Sequence, residues 1–313
     1  MPEKYKVLII GSSGMLGVDL CKELSEDYEI YGMDNRSRAG LNLPYNSAPV
    51  AQRFLECDIT DKKNVAEVVS KIRPKIVVHT AAMTDVDGCE IAKDRAHNIN
   101  VVGTENVASA CREFGSILIY ISTDFVFDGK KKEPYKESDK PGPLNIYAES
   151  KLGGEEAVKS ILKEYFILRS SWLYGKSGKN FVDTIIEKAK TKKSLKVVDD
   201  QAGSPTYTVD LSKAIHVLLS EIMRRDTGNG VRDAGIYHVS NSGAVSWYEY
   251  AKEILKISGS DVKVLPISSV ELNRPAKRPA MSVLDNSKFT GFTGYKLRDW
   301  KEALKDYITK KGQ

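Results

Sequence analysis

Tyr147 and Lys151 stand four residues apart in a stretch of helical character, so one face carries a phenol and an ammonium a single turn apart. A nearby ammonium favours the phenolate, whose parent phenol titrates near about 10 when unperturbed. Such a tyrosine can pass a proton to or from a carbonyl oxygen. By itself the spacing is also common in helices with no chemistry. Its setting singles it out, because Ser122-Thr123-Asp124 closes the apolar, β-branched run Ile117–Ile121 just upstream. Ligands of open α/β sheets bind at the carboxyl ends of the strands. A hydroxyl of Thr123 there would hold a carbonyl oxygen beside Tyr147, making Thr123, Tyr147 and Lys151 a candidate proton-transfer set.

A second constellation lies at the start of the chain. Gly11-Ser12-Ser13-Gly14-Met15-Leu16-Gly17 follows the apolar run Val7–Ile10 and opens a helical pattern. The G-x-x-G-x-x-G spacing suits a dinucleotide-binding turn. Gly11 allows the tight bend. Gly14 lets backbone N–H groups, with those of Ser13, Met15 and Leu16, approach a pyrophosphate at the helix N-terminus. Gly17 lets the helix pack closely on the sheet. Asp34 comes about 20 residues later, where an acidic side chain bonds ribose hydroxyls. Arg36 and Arg38 follow it, and a guanidinium there suits a 2′-phosphate. NADP(H) is therefore favoured, with NAD(H) left open.

The elements that must position these residues alternate. After the first strand, Leu16, Leu20 and Leu24 mark one helix face. Glu29–Met33 is strand-like. Val65, Val68, Val69 and Ile72 recur at helical spacing before Pro74, and Lys75–His79 reads as a strand. Residues 95–113 read as a helix, 146–163 as another, and Tyr165–Leu168 as a strand. Such alternation predicts βαβ units and a doubly wound parallel sheet of Rossmann type. The second half is less regular. Asp199–Tyr207 reads as a loop, 209–223 and 246–257 as helices, and Gly228–Gly230 as a turn; Pro266, Pro275 and Pro279 interrupt the tail. Residues 1–170, with about 207–240, are expected to form the dinucleotide-binding domain, and 171–206 with 241–313 a smaller substrate-binding lobe.

Composition bounds the rest. The 313 residues are 41% hydrophobic and 28% charged, enough for a sizeable core without staples. The net charge of +5 is spread along the chain, and the densest run, Lys130–Lys132, reads as a solvated loop, so nucleic acid is not expected. Cys21, Cys57, Cys89 and Cys111 form no CxxC pair and no metal-ligand spacing with histidine, which predicts reduced, mostly buried thiols and no metal site. The run Val7–Ile10 is too short for a signal-peptide core or a membrane span, and a cytoplasmic protein away from membranes is expected.

Together these residues resemble the extended short-chain dehydrogenase/reductase superfamily, and within it the dTDP-4-dehydrorhamnose reductase family. The likeness runs through Ser122–Gly129, Pro143–Tyr147, Leu168–Gly175, Gly178–Phe181, Val198–Thr206 and the segment from Arg278-Pro279 to Asp285, and so covers nearly the whole chain. It implies hydride delivery from NADPH or NADH to carbon 4 of dTDP-4-dehydro-L-rhamnose, giving dTDP-L-rhamnose. Tyr147 would give the proton, Lys151 would tune Tyr147 and hold the nicotinamide ribose, and Thr123 would orient the carbonyl. Asp58 and Ile59 would lie near adenine, and Ala81 and Ala82 near the ribose and phosphates. Thr84, Thr123, Asp124 and Trp172 would face the sugar, with Asn180 and Arg278 toward the nucleotide pyrophosphate. The resemblance leaves a homodimer open. The chain departs from the family pattern at His79, Met83 and Ala148, and in an extra stretch over 37–51.

Two other readings compete. One is a different sugar-nucleotide enzyme, a reductase, 4-epimerase or 4,6-dehydratase. Dehydratases of the superfamily carry Asp-Glu after the threonine, and here Phe125 takes the glutamate's place. The other is a non-catalytic NADP-binding regulatory subunit, like the β subunit of eukaryotic methionine adenosyltransferase. A pure scaffold has no need of Thr123, Tyr147 and Lys151 together.

Overall fold

The computed structural model describes residues 4–36, 53–226 and 233–311. Arg38, the extra stretch 37–51 and the turn at Gly228–Gly230 lie outside them. Strands β1 (Lys6–Ile10), β2 (Glu29–Asp34), β3 (Phe54–Glu56), β4 (Ile76–His79), β5 (Ile117–Thr123) and β6 (Tyr165–Ser170) pair in parallel. An edge strand, Gly235–His238, joins β6 in parallel and was not anticipated from the sequence. The spatial order, from that edge strand, is β6, β5, β4, β1, β2, β3. The order reverses between β1 and β4, which opens a crevice at their carboxyl ends.

Why these strands sit inside follows from their composition. β1, β4 and β5 are buried along almost their whole length, as expected where helices cover both faces of a parallel sheet. On one face pack the helices Met15–Leu24 and Thr208–Arg225, through Leu16, Leu20, Leu24, Leu211, Ile215 and Leu218. On the other, Val65, Val69, Val107, Cys111 and Val158 come from the helices Lys62–Ile72, Gly103–Phe114 and Ile146–Ile161. The single helix expected over 95–113 is broken: Lys93–His97 leads through a π-helical turn, Asn98–Val102, into Gly103–Phe114. All four cysteines are buried and none forms a disulfide.

A third core lies beside the sheet. Tyr174, Val182, Tyr207, Tyr250, Trp300 and Tyr307 gather there from the second half of the chain. Strand Ser194–Val198 pairs with Lys263–Ile267, and the stretch Asp199–Tyr207 holds two short strands rather than loop alone. Among the described residues no helix is long and apolar enough to cross a membrane.

Candidate active site

The crevice is a cleft of about 790 Å³ that runs from the glycine turn to Tyr147 and Trp172. Its lining includes Gly11, Gly14, Met15, Leu16, Asp34, Arg36, Asp58, Ile59, Ala81, Ala82, Thr84, Thr123, Asp124, Tyr147, Lys151 and Trp172. Residues separated by 161 positions of chain thus share one cavity because β1, β4 and β5 end side by side.

The glycine turn has the shape a pyrophosphate requires. Gly11 adopts φ +82, and a Cβ there would come within 2.7 Å of the Ala81 nitrogen. A Cβ on Gly17 would meet the Gly11 carbonyl oxygen at 2.1 Å, so only glycine lets the helix start this close to the turn. Gly14 caps the helix without a side-chain bond, which leaves the first-turn N–H groups uncapped toward the cleft. Ser13 does not line the cleft; its N–H donates to Asp34 Oδ2 at 3.2 Å, and its hydroxyl also donates to that oxygen. The Arg36 backbone N–H and Nε each donate to Asp34 Oδ1 at 3.2 Å. Asp34 is 7% exposed and Arg36 54%, so the carboxylate is satisfied from within while the guanidinium faces solvent and the cleft.

At the other end the helix Ile146–Ile161 carries the tyrosine and lysine. Asn145 caps it, accepting the Ala148 N–H at 2.8 Å, while Glu90 Oε1 accepts the Ile146 N–H at 2.8 Å. The Asn145 side-chain amide also donates to the Lys277 carbonyl at 2.7 Å, which ties the tail of the chain to this helix start. Gly154 lets the helix approach β5: a Cβ there would lie 2.4 Å from the Tyr120 hydroxyl. Tyr147 is partly exposed in the cleft, with Phe125 edge-on at 6.1 Å between ring centroids. Burial raises its phenol above the ordinary value; the Thr123 hydroxyl lowers it, and the Asp124 charge raises it. Thr123 and Tyr147 thus line the same cleft.

Lys151 behaves otherwise than the spacing suggested. It is 3% exposed and donates to the Ile121 carbonyl at 2.8 Å, with Nζ 4.0 Å above the Tyr120 ring centre. Burial pushes its ammonium down to about 7, and Glu155 pulls it back up. The phenol is held high rather than low, and the lysine is not among the groups that lower it. The reason is that burial raises the phenol and lowers the ammonium, while Lys151 Nζ is turned to the Ile121 carbonyl.

Below Lys151 lies a pair the sequence did not disclose. Glu155 and Arg169 are 0% and 2% exposed and bond twice, Nε to Oε1 at 2.9 Å and a terminal nitrogen to Oε2 at 2.6 Å. Ser122 donates to the same Oε1 at 2.6 Å. His79 is fully buried, its imidazole pushed down to about 3 by burial and by Lys151, so it is a neutral packing group against Tyr120.

Trp172 walls the cleft from a left-handed backbone, φ +47, unusual for a bulky residue and typical of functional sites. Its indole stacks on Trp247 with centroids 3.4 Å apart, over Gly203, where a Cβ would collide at 2.4 Å. Two sequence candidates do not reach the cleft. Asn180 caps the helix Phe181–Ala189, and its amide bonds the Gly175 carbonyl at 2.9 Å and the Tyr307 hydroxyl at 3.2 Å. Arg278 spends its guanidinium on Asp87, at 3.1 and 3.0 Å. Both side chains have the chemistry of phosphate ligands, but local carboxylate and carbonyl partners claim them. Conversely, Met83, Arg95, Asn98 and Lys179 line the cleft without having been singled out for it. Among the described residues no group of three or more His, Cys, Asp or Glu could hold a metal ion.

The sequence profile described as RmlD substrate binding domain matches residues 5–312. The chain belongs to the dTDP-4-dehydrorhamnose reductase family. Among family relatives, the spore coat polysaccharide biosynthesis protein SpsK of Bacillus subtilis is 38% identical over 304 residues, 97% of this chain and 96% of the relative. The dTDP-4-dehydrorhamnose reductase of Streptomyces griseus is 37% identical over 299 residues, 95% of this chain and 91% of its own. A crystal structure of the reductase from Bacillus anthracis in complex with NADP superposes with a TM-score of 0.84 at 40% identity, covering 98% of this chain and 99% of that one. The Rossmann-type architecture and the membership in this reductase family are thus settled together.

Proposed function

We propose that this protein is an oxidoreductase that converts dTDP-4-dehydro-L-rhamnose to dTDP-L-rhamnose, with NADPH preferred over NADH. The observation that carries the reading is that Thr123, at the end of β5, and Tyr147 line one cleft with a glycine turn shaped for a dinucleotide. The cradle at Gly11 and Gly17 admits backbone only, and the uncapped helix start faces it. When bound, the nicotinamide supplies the hydride. Everything else is work for the chain's own groups.

The backbone of Gly14, Met15 and Leu16 would hold the cofactor pyrophosphate, with Ala81 and Ala82 beside the ribose and Asp58 and Ile59 beside adenine. Asp34 is already satisfied by Ser13 and Arg36, so it offers little to ribose hydroxyls; exposed Arg36 offers a cation to a 2′-phosphate, which supports NADPH. Thr123 would orient the C4 carbonyl, and Tyr147 would protonate the alkoxide as it forms. Lys151, cationic below about pH 7, would hold the nicotinamide ribose. Thr84, Asp124 and Trp172 would contact the sugar, while Arg95 and Lys179 are better placed than Asn180 or Arg278 to meet phosphate charge. Residues 171–206 and 241–313 would serve as the substrate lobe, in a cytoplasmic enzyme. Phe125 beside Tyr147 leaves no second carboxyl for elimination, which sets dehydratase chemistry aside.

The test is direct. Purified protein, dTDP-4-dehydro-L-rhamnose and NADPH should give loss of the reduced-nicotinamide absorbance and a dTDP-rhamnose product, more efficiently than with NADH. Tight NADPH binding without turnover of this or any other dTDP-4-keto sugar would instead favour the regulatory-subunit reading.

A further inference from the structure

The Thr123 hydroxyl stands between two oxygen acids. On one side is Tyr147; on the other, Asp124 Oδ1 lies 3.1 Å from Thr123 Oγ1. The Phe125 N–H, donating to Oγ1 at 3.2 Å, occupies an acceptor position of the same oxygen. A hydroxyl has a single proton to donate. When Asp124 is a carboxylate, the Thr123 proton points to it. When Asp124 carries a proton, it can donate to Thr123 and free the Thr123 proton for the Tyr147 oxygen. Asp124 thereby sets the direction of the chain, and at 2% exposed it meets solvent only by way of the cleft it lines.

We propose that Asp124 is the proton reservoir of the site, reloading Tyr147 through Thr123, an assignment that rests on the reductase reading above. The balance is simple. The C4 carbonyl gains hydride from a reduced nicotinamide and its oxygen becomes an alkoxide. That oxygen takes the Tyr147 proton, the phenolate takes the Thr123 proton, and Thr123 takes the Asp124 proton. Asp124 is left a carboxylate and regains its proton from water after product release. Burial pushes its carboxyl up to about 7, with the hydroxyls of Ser282 and Thr123 pulling the other way. The ionisable group facing it from the helix packed on this turn is Tyr147; Lys151, one turn on, bonds the Ile121 carbonyl instead. Among the described residues no lysine or arginine forms an ion pair with Asp124.

Two measurements test this. In the ligand-free protein, an infrared titration should show a buried protonated carboxyl disappearing with a midpoint near 7, and Asp124→Asn should abolish that band. In turnover, kcat should fall as pH rises through the same midpoint, because the reservoir must start protonated. Asp124→Asn keeps the shape and the donor to Thr123 but has no proton to give. It should lower kcat at pH 6 by about 10-fold or more and erase the alkaline limb, a larger effect than any on KM for the sugar nucleotide. Absence of any carboxyl titrating between about pH 6 and 8, or an alkaline limb that survives in Asp124→Asn, overturns the proposal. So does a rise in KM with kcat and its pH profile unchanged, which would make Asp124 a sugar ligand only. A wild-type protein that reduces no dTDP-4-keto sugar fails the reductase reading itself, while the infrared band remains a separate result.

Discussion

Replacing Glu155 by alanine should destabilise this protein severely although the residue is not itself part of the cleft lining. The side chain is 0% exposed and accepts two bonds from Arg169, itself 2% exposed, and one from Ser122. Removing the carboxylate strands a guanidinium that water cannot reach, over the Phe127 ring at 5.1 Å. Breaking one partner of a buried pair costs about 3–5 kcal/mol, against about 1 kcal/mol for the orphaned Ser122 bond alone. At about 2–4 °C per kcal/mol for a domain of this size, Tm should fall by about 6–20 °C, read by calorimetry and by urea unfolding. The double substitution Glu155→Met with Arg169→Leu removes both charges and should recover most of the loss, because an apolar pair of similar volume escapes the desolvation cost. A single variant that melts within about 2 °C of wild type, or a double variant no better than the single, would refute the reasoning.

Other outcomes follow from the cleft. Tyr147→Phe keeps the ring against Phe125 and removes the proton, so kcat should drop about 100-fold or more while NADPH binding, measured by fluorescence or calorimetry, is retained. Arg36→Ala should raise KM for NADPH about 10-fold and leave NADH nearly unchanged, since its half-exposed guanidinium offers about 1.4 kcal/mol to a 2′-phosphate. Lys151→Met should be more stable than wild type at pH 6, where the native state must hold a buried ammonium. The gap should narrow as pH rises from about 7 toward 10.5, because the unfolded chain then binds the proton that the native lysine has released; urea unfolding at pH 6 and 9 checks the sign.

The sheet and the glycine turn were legible because their signals are local. Apolar runs such as Val7–Ile10 and Ile117–Ile121 are buried on both faces, and G-x-x-G-x-x-G leaves a trace within seven residues. That Thr123 and Tyr147 share a cleft was legible from order and element type. The edge strand Gly235–His238 was not, as its four residues have no alternation to mark them. The π-helical turn at Asn98–Val102 interrupts a stretch whose side chains all suit a helix, so no residue announces it. Asn180 and Arg278 bond local partners that the sequence does not reveal, because residue type states what a side chain can bind and tertiary neighbours decide what it does bind. Glu155 and Arg169 read in sequence as ordinary helix and strand-end charges. Their burial depends on Gly154 letting the helix sit against Tyr120. The Trp172–Trp247 stack joins positions 75 residues apart, beyond any local pattern.

The most direct test of the account uses NADPH carrying deuterium at nicotinamide carbon 4. Proton NMR of the product from dTDP-4-dehydro-L-rhamnose should show deuterium at sugar carbon 4, on one face only, with incorporation lost in Tyr147→Phe. Deuterium absent from carbon 4, or incorporation undiminished without the Tyr147 hydroxyl, would contradict it.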